Sequence, residues 1–130
     1  MKRVTGIGGA FFKAQDPEQL KDWYARHLGL EFINTSSIFE WGDENSSNGR
    51  GHTVFAVFPD SSEYFDSSTK PFMVNFRVQD LEGLLAQLRK EGVKVEEKIE
   101  KYDYGKFGWI YDAEGTKIEL WEPYDDKFKF

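Results

Sequence analysis

The chain has 130 residues, 39% of them hydrophobic and 31% charged, which is the balance of one soluble domain around a single core. Its formal net charge of −6, with no basic cluster longer than Lys2-Arg3, speaks against a nucleic-acid partner. There is no cysteine, which excludes disulfides, thiolate zinc sites and thiol catalysis. Aromatic residues are abundant: 12 Phe, 6 Tyr and 4 Trp make up 17% of the chain, more rings than a small core requires, so some are free to line a pocket.

The opening Met1 to Gly6 leads into a short mixed segment instead of a long apolar run. Neither a signal peptide nor a membrane span is expected, and the expected location is cytoplasmic. An alternating strand over Gly9 to Ala14 is followed by Asp16, a helix cap, with Pro17 at the first helical position and Gln19 placed to complete a capping box. Leu20, Trp23, Tyr24 and Leu28 recur at helical spacing, and Gly29 supplies the stop. A strand-like run covers Ile38 to Trp41, and the polar stretch 42–51 reads as a mobile loop. A further strand spans Gly51 to Pro59. Residues 60–69 read as a linker, in which Tyr64-Phe65 is an anchor. After it the pattern returns: a strand over Met73 to Val78, Asp80 as cap, a stripe of Leu81, Leu84, Leu85 and Leu88, Gly92 as stop, then strand-like runs Val93 to Ile99, Phe107 to Tyr111 and Lys117 to Trp121.

The recurrence is a repeat. A shift of 64 residues lays Gly9 to Asp16 on Met73 to Asp80, Glu18 on Glu82 and Leu20 on Leu84. The same shift lays Gly51 to Pro59 on Gly115 to Pro123. One offset serving both ends of each half predicts an α+β domain of two tandem β-α-β-β-β units, about 3–59 and 70–123, forming a curled mixed sheet around a cleft.

These features resemble the vicinal oxygen chelate superfamily of glyoxalases, extradiol dioxygenases and bleomycin-resistance proteins. The resemblance lies in the two strand-Asp-helix openings, Gly9 to Leu28 and Met73 to Leu88. The most specific match is Tyr111-Asp112-Ala113-Glu114-Gly115-Thr116-Lys117-Ile118-Glu119-Leu120, which is similar to the family's closing strand motif. The resemblance implies two half-barrels enclosing the site, and, in metal-dependent members, one ligand from the first and one from the last strand of each unit. Those positions here are Gly9, Met73, Glu119 and, by the 64-residue shift, Phe55. Glycine has no side chain, phenylalanine has no donor atom, and a thioether suits copper and not magnesium, zinc or iron. The expectation is therefore no cofactor, and no glyoxalase I or extradiol dioxygenase activity. His52, three residues from Phe55, is expected on the opposite face, and His27 near a helix end.

Strand alternation, with parity set by these positions, places Gly9, Phe11 and Lys13, then Met73, Asn75 and Arg77, on the cleft face. From the closing strands it places Thr53, Phe55 and Val57, then Lys117, Glu119 and Trp121, with Phe107, Trp109 and Tyr111 added. Ala10, Phe12, Ala14, Val74, Phe76, Val78, Ile118 and Leu120 are left to pack beneath the helices. Lys13 and Arg77 either meet an anionic group on a ligand or sit at a solvated rim, paired with Glu119. Glu119 is the candidate acid or base, or a remnant held by a cation. The rings of Phe55, Trp109, Tyr111 and Trp121 either stack on a planar ligand or pack the core. The expected protein is a small-molecule binder for an aromatic or anionic ligand, with a homodimer implied by the resemblance. The alternative is a metal-dependent or Glu-based lyase, isomerase or dioxygenase of the same superfamily. The Gly6, Gly8, Gly9 cluster does not make a dinucleotide fingerprint, since the last glycine and a preceding strand are both missing.

Overall fold

Seven strands and two helices are built from the residues that the computed structural model describes, 3–43, 48–65 and 70–124. In chain order they are β1 (Val4–Ala14), α1 (Pro17–Leu28), β2 (Ser36–Gly42), β3 (Arg50–Pro59), a single 3-10 turn (Glu63–Phe65), β4 (Phe72–Val78), α2 (Leu81–Lys90), β5 (Glu100–Tyr102), β6 (Gly105–Tyr111) and β7 (Lys117–Pro123). The sheet runs β2-β3-β1-β4-β7-β6-β5 and is not closed. Strand β1 pairs parallel with β3, β4 pairs parallel with β7, and β1 meets β4 antiparallel at the centre.

Both helices start where the caps demand. Asp16 accepts from the Gln19 backbone N–H at 3.0 Å, and Asp80 accepts from that of Gly83 at 3.1 Å. Gly29 ends α1 in the left-handed conformation (φ 74°), which a residue with a Cβ adopts only under strain.

The repeat is visible as a pseudo-twofold. Ala10 faces Val74, and Gly9 to Asn75 mirrors Phe11 to Met73, so the 64-residue shift maps the central ladder onto itself. The two units differ in detail. The second has three strands after its helix; the first has two, with only an isolated bridge from Ile33 to Ser36 ahead of β2. Val93 to Ile99, expected as a strand, is instead an extended connection bridging once, from Val95 to Ile110, and the paired strand is Glu100–Tyr102. Stretch 42–51 and linker 60–69 fall partly, and the tail beyond 124 wholly, outside the described residues.

Two apolar clusters sit on opposite faces of the sheet. Under α2, Leu81, Leu85, Val78 and Leu120 are buried against Phe76, Ile110 and Ile118. On the cleft side Phe11, Ala56, Phe65, Met73 and Trp109 pack together with Val54, Phe58 and Phe107 around them. Among the described residues no helix is long and apolar enough to cross a membrane.

Candidate functional site

The curl of the sheet leaves a cleft of about 560 Å³ on the face away from the helices. At its centre is Glu119 on β7, 1% exposed. Three protein donors converge on its carboxylate. The Asn75 amide donates to Oε1 at 2.6 Å, the Trp109 indole N–H donates to Oε2 at 2.9 Å, and the Tyr64 hydroxyl donates to Oε2 as well. Asn75 and Glu119 face each other across the parallel β4–β7 pair, and Trp109 faces Glu119 across β6–β7, so backbone register builds the triad. Burial disfavours the charged carboxylate and pushes its pKa up to about 7, while the three hydrogen bonds pull it down. Burial beside Glu119 also raises the Tyr64 hydroxyl, which keeps it protonated as a donor.

Around this centre the walls are rings. Tyr64 stacks on Phe58 with centroids 5.4 Å apart and meets Phe11 edge-on. Phe107 stacks on Trp121 at 5.7 Å, and Tyr104 sits edge-on to Phe107. Gly8, Val54 and Ala56 line the floor on the first-unit side. Gly8 is the extra residue of a β-bulge: Ile7 pairs with Phe76 and Gly9 already with Asn75. A Cβ on Gly8 would press into the Asn75 amide and lie 2.9 Å from the Trp121 ring.

Of the residues singled out from the sequence, Phe11, Asn75, Phe107, Glu119 and Trp121 line the cleft. Trp109 lies behind it as a donor to Glu119, and Met73 is buried beneath Phe11. Tyr111 bonds Glu96, and Lys117 sits 5.6 Å over the Trp109 ring and 3.8 Å from Glu96. Lys13 lies 5.3 Å over the Phe65 ring. Arg77 is no rim residue: it is 1% exposed, 3.6 Å from Asp43, donates to the His52 carbonyl, and lies between the Trp41 and Trp121 rings. His27 packs 5.0 Å from Trp23 at the end of α1.

One expectation is corrected outright. Strand β3 presents Val54, Ala56 and Phe58 to the cleft, and not Thr53, Phe55 and Val57. Phe55 packs on the helix side against Phe12, Tyr24 and Phe32. The cause is one residue. Phe11 faces Ala56 as Asn75 faces Glu119, so the partner of Glu119 in the first unit is Ala56, 63 positions earlier instead of 64. A one-residue slip turns every side chain of a strand over. His52, expected to face away from the family's ligand positions, therefore has the parity of Ala56; it is buried, with Nε2 3.4 Å from Glu40. Tyr64 and Tyr104 were not among the expected site residues. The Tyr64-Phe65 pair in a polar linker was the available signal for the first, and nothing in the local pattern marks the second.

A two-unit open sheet with a cleft at the pseudo-twofold defines a class of protein, and sequence comparison identifies the family. The family model described as the Glyoxalase/Bleomycin resistance protein/Dioxygenase superfamily matches residues 7–120, and the chain belongs to that superfamily. Solved structures agree in fold. Methylmalonyl-CoA epimerase from Mycobacterium tuberculosis superposes with a TM-score of 0.61 at 23% identity, covering 95% of this chain and 91% of its own. A variant of the Streptomyces coelicolor methylmalonyl-CoA epimerase in complex with 2-nitronate-propionyl-CoA gives a TM-score of 0.69 at 17% identity, covering 92% and 98%. At these identities the likeness is one of fold. A search of curated proteins by sequence finds no match.

Proposed function

We propose that this protein is a metal-free small-molecule binder of the superfamily, taking a flat aromatic ligand into the ring-walled cleft over Glu119. The observation that carries this reading is that one buried carboxylate, already held by three protein donors, stands alone among apolar and aromatic walls. Donor chemistry supports the absence of a divalent ion. The positions from which the fold supplies ligands hold Gly9 and its bulge neighbour Gly8, Ala56, Met73 and Glu119. A single carboxylate does not hold such an ion.

The test is metal analysis of the purified protein followed by a thermal-shift screen of aromatic small molecules. Substoichiometric zinc, nickel, iron and manganese are expected, with a melting temperature raised by ring-bearing ligands. Stoichiometric metal lost in Glu119→Gln would overturn the reading. A second reading, Glu-based acid–base catalysis, is favoured by one observation: burial holds Glu119 at about 7, within the range useful to a general base. Turnover of any bound ligand that disappears in Glu119→Gln would select it. The cytoplasmic location and the homodimer remain part of the proposal; size-exclusion chromatography with light scattering reads the second.

A further inference from the structure

The cleft holds a charge that nothing in it balances. Glu119 is buried, and its oxygens are held by Asn75, Trp109 and Tyr64, all neutral donors. Such bonds fix the carboxylate in place but leave its charge without a counter-ion. None of the described residues lining the cleft is Lys, Arg or His. The basic side chains on and beside the surrounding strands have other partners. Arg77 pairs with Asp43, Lys117 with Glu96, Lys98 with Glu100, and Lys101 and Lys106 with Glu82, while Lys13 lies over Phe65. Glu100, held by Tyr102 as well as Lys98, adds a second negative charge that is felt at Glu119, Tyr64 and Tyr104.

Six rings line the same cleft: Phe11, Phe58, Tyr64, Tyr104, Phe107 and Trp121. The face of an aromatic ring carries partial negative charge and attracts a cation. The chain uses ring faces in this way for its own side chains, with Arg77 5.2 Å over Trp41 and Lys94 4.5 Å over Tyr111. Among the described residues no basic side chain lies over Phe11, Phe58, Tyr64 or Phe107. Rings and carboxylate therefore favour the same sign of ligand charge, and a formal net charge of −6 draws that sign towards the molecule. An anionic ligand would meet repulsion from both.

We infer that the cleft takes a cationic aromatic ligand, a planar heteroaromatic ring with a permanent delocalised positive charge, for which Glu119 is the buried counter-ion. This rests on the aromatic-binding reading above and narrows it. Of the aromatic and anionic ligands expected from the sequence, it keeps the ring and reverses the charge. No hydrogen bond to the site is required. Coulomb attraction falls only with inverse distance and is weakly screened in an apolar slot. A delocalised charge is also less strongly hydrated than a compact ammonium, so it enters such a slot more readily. Burial holds Glu119 at about 7, and a cation beside it favours the charged form, so binding tightens as pH rises through that value. Over the same range the Tyr64 and Tyr104 hydroxyls, raised by burial, keep their protons, and Glu100, lowered by its bond from Tyr102, keeps its charge. Neither histidine lines the cleft.

Three probes of one ring shape test it on the full chain: N-methylquinolinium, its neutral isostere 1-methylnaphthalene, and 1-naphthoate. Binding is followed by NMR at the Trp109 indole N–H, at about pH 8.5 and about pH 5.5, on either side of the Glu119 titration. At the higher pH the cation is expected to bind at least about tenfold tighter than the neutral probe, with the carboxylate weakest. At the lower pH the cation is expected to lose about tenfold in affinity and the neutral probe less than about twofold. The Glu119 carboxyl carbon is expected to titrate about one pH unit lower with the cation bound. In Glu119→Gln the cation-to-neutral ratio is expected to fall close to one at both pH values. In the unaltered protein, equal or tighter binding of the neutral probe or the carboxylate, or a cation affinity that does not change with pH, overturns the charge inference and leaves ring binding intact. If none of the three probes shifts the Trp109 signal, both readings fall together.

Discussion

The two units share one chain path and divide the work between them. The second unit buries the centre of its helix stripe: Leu81 and Leu85 are 0% exposed, Leu84 and Leu88 are partly buried beside them, and Gly108 on β6 lets Leu85 come against the sheet without a Cβ in the way. It also supplies Asn75, Trp109, Glu119 and Trp121. The first unit buries no residue of α1; Trp23 is 47% and Leu28 61% exposed. Its contribution to the cleft is apolar apart from Ser36: Gly8, Phe11, Ile33, Ile38, Val54, Ala56 and Phe58. Duplication therefore gave two copies of a scaffold, one carrying the packing and the polar chemistry, the other a hydrophobic wall. A pseudo-symmetric cleft can be chemically one-sided because register, once set by the backbone, is indifferent to which side chain stands at each position.

The largest expected effect tests the packing half of this contrast. Leu85→Ala removes a side chain with no room to relax and is expected to cost about 2–5 kcal/mol in denaturant unfolding. Next comes the buried carboxylate. The folded state holds the Glu119 proton at about 7 against an ordinary value of 4.5, so the folded form binds that proton more tightly than the unfolded chain. The associated stability is fully present below about pH 4.5 and is lost as pH rises towards 7, by roughly 3 kcal/mol for a shift of this size. Glu119→Gln is expected to flatten that part of the stability–pH curve; an unchanged slope would refute the assignment. Tyr64→Phe removes one of the three donors. It is expected to move the Glu119 titration further upward, read by NMR, and to cost about 1 kcal/mol above neutrality, where the carboxylate is charged. The smallest effect belongs to the first unit. Trp23→Ala, on a half-exposed ring edge-on to Tyr24 and tilted against His27, is expected to change stability by less than about 1 kcal/mol. A loss matching that of Leu85→Ala would mean that α1 is buried by something else in solution, and the contrast between the units would have to be redrawn.

Much of the fold was legible because it is written in short-range signals. Asp16 and Asp80 cap helices through atoms three residues away, and Gly29 stops one through its own backbone; each statement holds whatever the rest of the chain does. The 64-residue offset was legible for the same reason at larger scale; it holds at the opening strands, where Ala10 faces Val74, and slips to 63 at the closing strands. Strand β3 resisted. Its stretch Thr53-Val54-Phe55-Ala56-Val57-Phe58 is apolar on both faces, so alternation cannot tell cleft from helix side, and parity had to be borrowed from the repeat. One residue of difference between the units was enough to reverse it.

The sequence by itself determined the duplicated architecture, the helix boundaries and the family, since caps, apolar periods and the closing motif before Glu119 are local properties of the chain. It also placed Phe11, Asn75, Phe107, Glu119 and Trp121 on the cleft, by strand alternation whose parity came from the ligand positions that the family resemblance implies. Only the tertiary structure decided that Tyr64 reaches across from the linker to Glu119, that Arg77 is locked between two tryptophans, and that Ala56 and not Phe55 stands opposite the carboxylate. Those facts depend on where separate segments meet in space, and on a register that single residues added or omitted can turn over.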